Sequence, residues 1–197
     1  MIDIFDVVTL LKTFGYLGLF IIIFSETGLL IGFLFPGDSL LFAAGVLAAA
    51  NYFSLTTIII VALSAAIIGE IVGYHIGRKY GPMVFKQKDS IFFKQEYLKR
   101  AEKFCKKHGG KTLILARFLP IVRTAVPVLA GVGKMDYKLF LFYNIIGAIL
   151  WTVGLIGGGY VLGNIIPDVE KYLLPIMIGI VIISFLPSLI SILKKRK

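Results

Sequence analysis

Cysteine and histidine are almost missing from this 197-residue chain, which holds one of the first and two of the second. A single Cys105 excludes an internal disulfide and fits a reduced or cysteine-poor setting. His75 and His108 lie far in sequence from the chain's most unusual arginines, and no metal-ligand cluster is visible, so no metal or other cofactor is expected. A nucleophile with a partner base is missing too, which counts against an enzyme such as a lipid phosphatase. The acidic opening MIDIFDVV puts no basic stretch ahead of an apolar core, so no cleaved signal peptide is expected.

What the chain has in excess is apolar surface. Hydrophobic residues make up 58%, the 21 glycines come on top of that, and the mean hydropathy is +0.91. A soluble domain carries about 45–50% apolar residues with glycine included. The composition is that of an integral membrane protein, with several runs near the roughly 20 residues a span requires. The net charge of +10 is concentrated at residues 86–111 and in the tail 194–197. In a membrane protein such loop charges mark the cytoplasmic side, so membrane lipids are expected partners and nucleic acid is not.

Taken in order, residues 2–11 alternate apolar and acidic types and predict a short interfacial helix. Residues 13–35 form a long apolar arm that Pro36-Gly37 breaks. Residues 39–50 form a second arm reaching only about 18 Å, too short to cross. Together they predict a re-entrant hairpin. Residues 55–77 predict a full span with glycines at 69, 73, 77 and 81 on one face, open to close approach by another helix. Residues 82–111 predict a basic amphipathic helix, with Phe93, Tyr97, Ala101, Phe104 and Cys105 on its apolar side, suited to an anionic lipid surface. A second hairpin at 112–133 and spans at 139–163 and 172–193 complete the chain. By the positive-inside bias the tail and the basic helix are cytoplasmic, and the two hairpins open to opposite sides.

An internal repeat supports this layout. Ala44-Gly45-Val46 recurs as Ala130-Gly131-Val132, and Gly73-Tyr74-x-x-Gly77 as Gly159-Tyr160-x-x-Gly163, both offset by 86 residues. The predicted fold is therefore an all-α membrane protein: an inverted repeat with two opposed re-entrant hairpins, three full transmembrane helices and interfacial amphipathic helices. It forms one membrane domain, with a first repeat at 1–81, a cytoplasmic segment at 82–111, a second repeat at 112–163 and a last helix at 171–193.

The chemistry concentrates at residues 116–131, ARFLPIVRTAVPVLAG, where Arg117 and Arg123 flank Pro120 in an otherwise apolar run. An arginine at bilayer depth costs roughly 2.5–3.5 kcal/mol on insertion scales, so the pair calls for compensating acids or an anionic ligand. Glu26 and Asp38 around the first break are the stronger source. Two uses are open for the arginines: clamping phosphate oxygens, or snorkelling to the cytoplasmic interface. Glu26 is either a titrating or arginine-pairing carboxylate or a structural ion pair, and Asp38 is a counter-charge, a helix cap, or both. Glu70 and His75, five apart on one span, form a proton relay or a packing contact. Trp151 serves packing or interface anchoring, and Asn144 lies in the same span.

These residues resemble the DedA family, also described as the SNARE-associated or VTT-domain group. The likeness rests on the Glu of FSETGLLIGFLFPGD with its Pro-Gly-Asp, the G-x-x-x-G-Y-x-x-G-x-x-x-G helix, A-R-F-L-P-x-x-R-x-x-x-P-x-x-A-G, Met-Asp-Tyr, Asn144 and Trp151. It implies a transport role in a bacterial cell membrane. Bacterial members look like translocases (flippases) of undecaprenyl phosphate, some handle phospholipids, and eukaryotic relatives are scramblases. By resemblance the essential acids fall on Glu26 and Asp38 and the essential arginines on Arg117 and Arg123. The expected substrate is an anionic lipid, a polyprenyl phosphate or a phospholipid, bound by Arg117 and Arg123. Glu26 and Asp38 supply coupling or counter-charge, with Glu70, His75, Asn144 and Trp151 as secondary candidates. A proton-coupled exporter of a small solute is the alternative. Oligomeric state, homo-oligomers included, stays open.

Overall fold

The computed structural model describes residues 7–29, 36–84, 109–117 and 120–166, and the single positions 175 and 179. Of the basic helix expected at 82–111, residues 85–108 with Cys105 and His108 lie outside the described residues, as does the span expected at 172–193 apart from positions 175 and 179. Six helices are described: α1 (Val7–Gly28), α2 (Gly37–Ala49), α3 (Leu55–Val84), α4 (Lys111–Ala116), α5 (Pro120–Val132) and α6 (Tyr137–Ile165). Among the described residues two stretches are long and apolar enough to cross a membrane, Leu55–Gly81 and Tyr137–Ile165. Large apolar side chains such as Leu17, Ile60, Phe142, Leu150 and Val161 stand exposed on the outside, as a lipid-facing surface requires.

The helix boundaries follow local chemistry, and several differ from expectation. The first arm begins as one helix with residues 7–14 but breaks at Gly15, whose φ of 55° and ψ of −142° suit no residue with a Cβ. It stops at Gly28 instead of running to Phe35. There the helix gives way to a bend, and its backbone presses on α3, where a Cβ on Gly28 would come within 3.0 Å of the Gly69 carbonyl. The span expected at 55–77 continues past Arg78 and Lys79 to Val84. The span expected from 139 starts at Tyr137, because Asp136 accepts a hydrogen bond from the Leu139 amide and caps the helix.

Both short helices stop in the same way. Asn51 (φ 62°) and Lys134 (φ 51°) adopt the left-handed conformation just beyond α2 and α5. The next amides, of Tyr52 and Met135, reach back to the carbonyls of Leu47 and Ala130 at 2.9 and 3.0 Å. This is the Schellman arrangement, with Asn and Lys where glycine is usual.

The short helices exchange partners across the molecule. α2 packs against α6, and α5 packs against α3. A Cβ on Gly77 would lie 2.1 Å from the Val128 carbonyl, and one on Gly159 would lie 2.1 Å from the Phe42 carbonyl. Gly131 meets the backbone of Tyr74 and Arg78 as Gly45 meets that of Ile156 and Tyr160. The two crossings are thus the same contact made twice. Short-helix positions keep the offset of 86 residues, while long-helix positions are related by 82. Against the shared Gly-Tyr motif, one crossing has slid by a helical turn.

Candidate functional site

Where α2 and α5 begin, their first turns bring charged side chains toward the middle of the long helices. Trp151 is the central residue of Tyr137–Ile165, and Glu70 lies just past the centre of Leu55–Gly81. Arg117 and Arg123 are 1% and 2% exposed. Both guanidiniums therefore point inward, and snorkelling to an interface does not occur.

Arg123, on the first turns of α5, holds two carboxylates. Its Nη1 donates to Asp38 Oδ1 at 2.7 Å, and its Nη2 is ion-paired with Glu26 Oε1. Glu26 comes from the end of α1 and Asp38 from the first turn of α2, so three helices meet on one guanidinium. Asp38 also accepts from the indole Nε1 of Trp151 at 2.9 Å. The Trp151 ring lies against Arg123, whose Cζ is 4.4 Å from the ring centre, with that of Arg117 at 5.9 Å. Trp151 is 2% exposed, so it anchors no interface. Asp38 is no helix cap either: Pro36 holds that position and α2 has no side-chain cap bond.

Arg117 stands in the turn after α4 with a different set of partners. Its Nη2 meets Glu70 Oε1 of α3 at 2.6 Å and donates to Asn144 Oδ1 of α6 at 2.8 Å. Asn144 in turn donates from Nδ2 to the Ile67 carbonyl at 3.2 Å. Of the two readings of Glu70, the polar helix-packing contact is the one that forms, to Arg117, and no bond to His75 accompanies it. Five residues apart on a helix, the two side chains point to different faces, and the His75 ring is exposed beside Tyr74 and Tyr137, each at 5.5 Å.

Several site atoms have no hydrogen-bond partner among the described residues: Glu26 Oε2, Arg117 Nε and Nη1, and Arg123 Nε. Two glycines escaped the sequence pattern as members of the site. Glu26 Oε2 lies 1.4 Å from where a Cβ on Gly37 would stand, and Arg117 Nε lies 3.3 Å from where one on Gly147 would stand. The Pro36-Gly37 break was the signal for the first; nothing marked the second. Among the described residues no group of three or more His, Cys, Asp or Glu could hold a metal ion.

The VTT domain matches residues 35–161, which contain Asp38, Glu70, both arginines, Asn144 and Trp151. This chain belongs to the VTT-domain (DedA) family of membrane proteins. It is 45% identical over 184 residues to Protein DedA of Escherichia coli (strain K12), covering 92% of this chain and 84% of that one. It is 46% identical over 171 residues to an uncharacterized membrane protein of Mycobacterium leprae (strain TN), covering 87% and 76%. With the inner membrane protein YqjA of Escherichia coli (strain K12) it shares 34% over 190 residues, covering 92% and 85%. No solved structure matches the chain.

Proposed function

We propose that this VTT-domain protein is a membrane translocase (flippase) for a phosphate-bearing lipid, with the carrier undecaprenyl phosphate as its substrate. The observation that carries the proposal is the position of Arg123: almost fully buried, midway along the helix bundle, and held by two carboxylates that an anionic headgroup can replace. A guanidinium stays charged and binds phosphate oxygens through paired donors. Glu26 and Asp38 are the counter-charges displaced in the cycle, and either can take up a proton on leaving Arg123. In this proposal α2 and α5, each 13 residues and about 20 Å long, are the short arms of two opposed re-entrant hairpins. The protein lies in a bacterial plasma membrane with its C-terminus and basic segment cytoplasmic.

One observation favours a second class. Three carboxylates, Glu26 and Glu70 buried and Asp38 partly buried, face two arginines, an imbalance that suits a proton-coupled exporter of a small solute. Purified protein in vesicles containing fluorescent polyprenyl phosphate separates the two. Lipid movement that Arg123→Ala abolishes, with the variant still inserted, supports the translocase. Unchanged lipid movement in that variant rejects the clamp, and solute flux without lipid movement selects the exporter.

A further inference from the structure

The two arginines are committed to unequal degrees. Both terminal nitrogens of Arg123 hold a carboxylate. Arg117 gathers its two partners on Nη2 alone, leaving Nη1 and Nε without a hydrogen-bond partner among the described residues. Of the five donors a guanidinium carries, three are unspent in a side chain that is 1% exposed. Buried donors left unpaired are destabilising and call for an explanation, an absent ligand being one.

We propose that Arg117 is the docking subsite for a phosphate monoester, and that Glu70 and Asn144 are positioning residues that aim it. This rests on the phosphate-lipid function proposed above and assigns the order of events at that site. Glu70 and Asn144 hold Nη2 from opposite helices, and the bond from Asn144 to the Ile67 carbonyl ties those helices together. The guanidinium is therefore fixed in orientation before any ligand arrives. Gly147, one turn beyond Asn144, leaves the Nε edge facing bare backbone. A monoester has three terminal oxygens to offer the three N–H donors of Arg117 Nη1 and Nε, which have no hydrogen-bond partner among the described residues; a diester has two. The phosphate meets Arg117 first, and Arg123 only when Glu26 and Asp38 yield.

Glu70 and Asn144 then have opposite effects on affinity. Glu70→Gln keeps an acceptor for Nη2 but removes the charge that competes with phosphate, so binding tightens. Asn144→Ala frees the guanidinium to turn, so binding weakens. Trp151, the chain's one tryptophan, lies against both arginines and reports occupancy by its own fluorescence. The experiment titrates the full-length protein in detergent with a short polyprenyl phosphate, the matching polyprenol, and inorganic phosphate. Expected is saturable quenching by the phosphate lipid and none by the alcohol. Glu70→Gln lowers the Kd about tenfold, while Asn144→Ala and Arg117→Lys each raise it about tenfold. If Glu70→Gln fails to accumulate, Glu70→Asp, with its carboxylate drawn back, shifts the Kd in the same direction. Competition by millimolar inorganic phosphate supports the subsite and assigns it the free ion; its failure to compete supports the lipid headgroup. Quenching by the phosphate lipid with all variants within about twofold of wild type overturns the Arg117 assignment and leaves the translocase standing. A wild-type protein that treats phosphate and alcohol alike overturns both.

Discussion

Trp151 and Arg123 donate to the same carboxylate oxygen, Oδ1 of Asp38, at 2.9 and 2.7 Å. The shared acceptor makes the indole an alternative holder for Asp38 whenever an anion takes its place on Arg123. Without it, the displaced carboxylate would be left partly buried and unpaired, which is destabilising. Trp151→Phe keeps a ring beside the guanidinium and removes the N–H. Its expected effect is a loss of about 1 kcal/mol of stability, seen as a lower Tm in detergent, and a several-fold slower lipid movement in vesicles.

Arg123 compensates Glu26 and Asp38 at once, so its removal leaves two carboxylates, one buried and one partly buried, without a cation. Arg123→Ala is expected to destabilise the protein by about 3–5 kcal/mol. Adding Glu26→Gln and Asp38→Asn to that variant removes the orphaned charges and should restore much of the stability, without restoring transport. Denaturant unfolding and vesicle transport, measured on the same preparations, separate the arginine's structural role from its binding role. Recovery of transport in the neutral triple variant would show that no fixed cation is needed there.

How much of this was legible in the chain depended on whether the signal was local. Pro36-Gly37 and Pro120 stand where the two short helices begin and announced them, although Gly81-Pro82 and Pro127 lie inside helices. The pairing of Glu26 and Asp38 with Arg123 followed from scarcity, because few other charges share that apolar setting. Glu70 reads as a relay with His75 or as a polar packing contact; it is the second, and its partner Arg117 lies 47 residues away. That contact is made by the crossing of α3 with the turn after α4, and nothing in the spacing of Glu70 encodes it. The break at Gly15 was equally hidden, since Gly15, Gly18, Gly28 and Gly32 all lie in one apolar run and nothing local sets Gly15 apart. The repeat was visible as matched Gly-Tyr motifs, but the one-turn slide between the crossings is a property of packing alone.

That slide rests on glycines that admit a neighbouring backbone. Gly77→Ala and Gly159→Ala each put a Cβ 2.1 Å from a carbonyl oxygen, of Val128 and Phe42. A backbone atom cannot swing aside as a side-chain tip can, so the helices must part. Each variant should lose about 1–3 kcal/mol and lower the Tm in detergent. Gly154→Ala on α6 is the control, since a Cβ there meets nothing within 4 Å; it should leave the Tm unchanged or raise it slightly through better helix propensity. Equal losses in all three would mean that glycine acts through flexibility and not through close approach.

The turn between α5 and α6 offers the opposite sign. Lys134 holds φ at 51°, a conformation that costs a residue with a Cβ roughly 1–2 kcal/mol. It is kept there from outside: the Tyr74 hydroxyl donates to the Met135 carbonyl at 2.6 Å, and Arg78 Nη1 donates to the Tyr74 oxygen at 2.7 Å. Lys134→Gly relieves the strain and should raise stability by about 1 kcal/mol. Tyr74→Phe removes the restraint and should lower it by about 1 kcal/mol. Combined, the two changes should leave the protein more stable than the near-zero sum of the separate effects, because with a glycine at 134 the loss of the Tyr74 bond costs less. Strict additivity in the double-mutant cycle, read by denaturant unfolding, would show that the Tyr74 bond does not act on this turn.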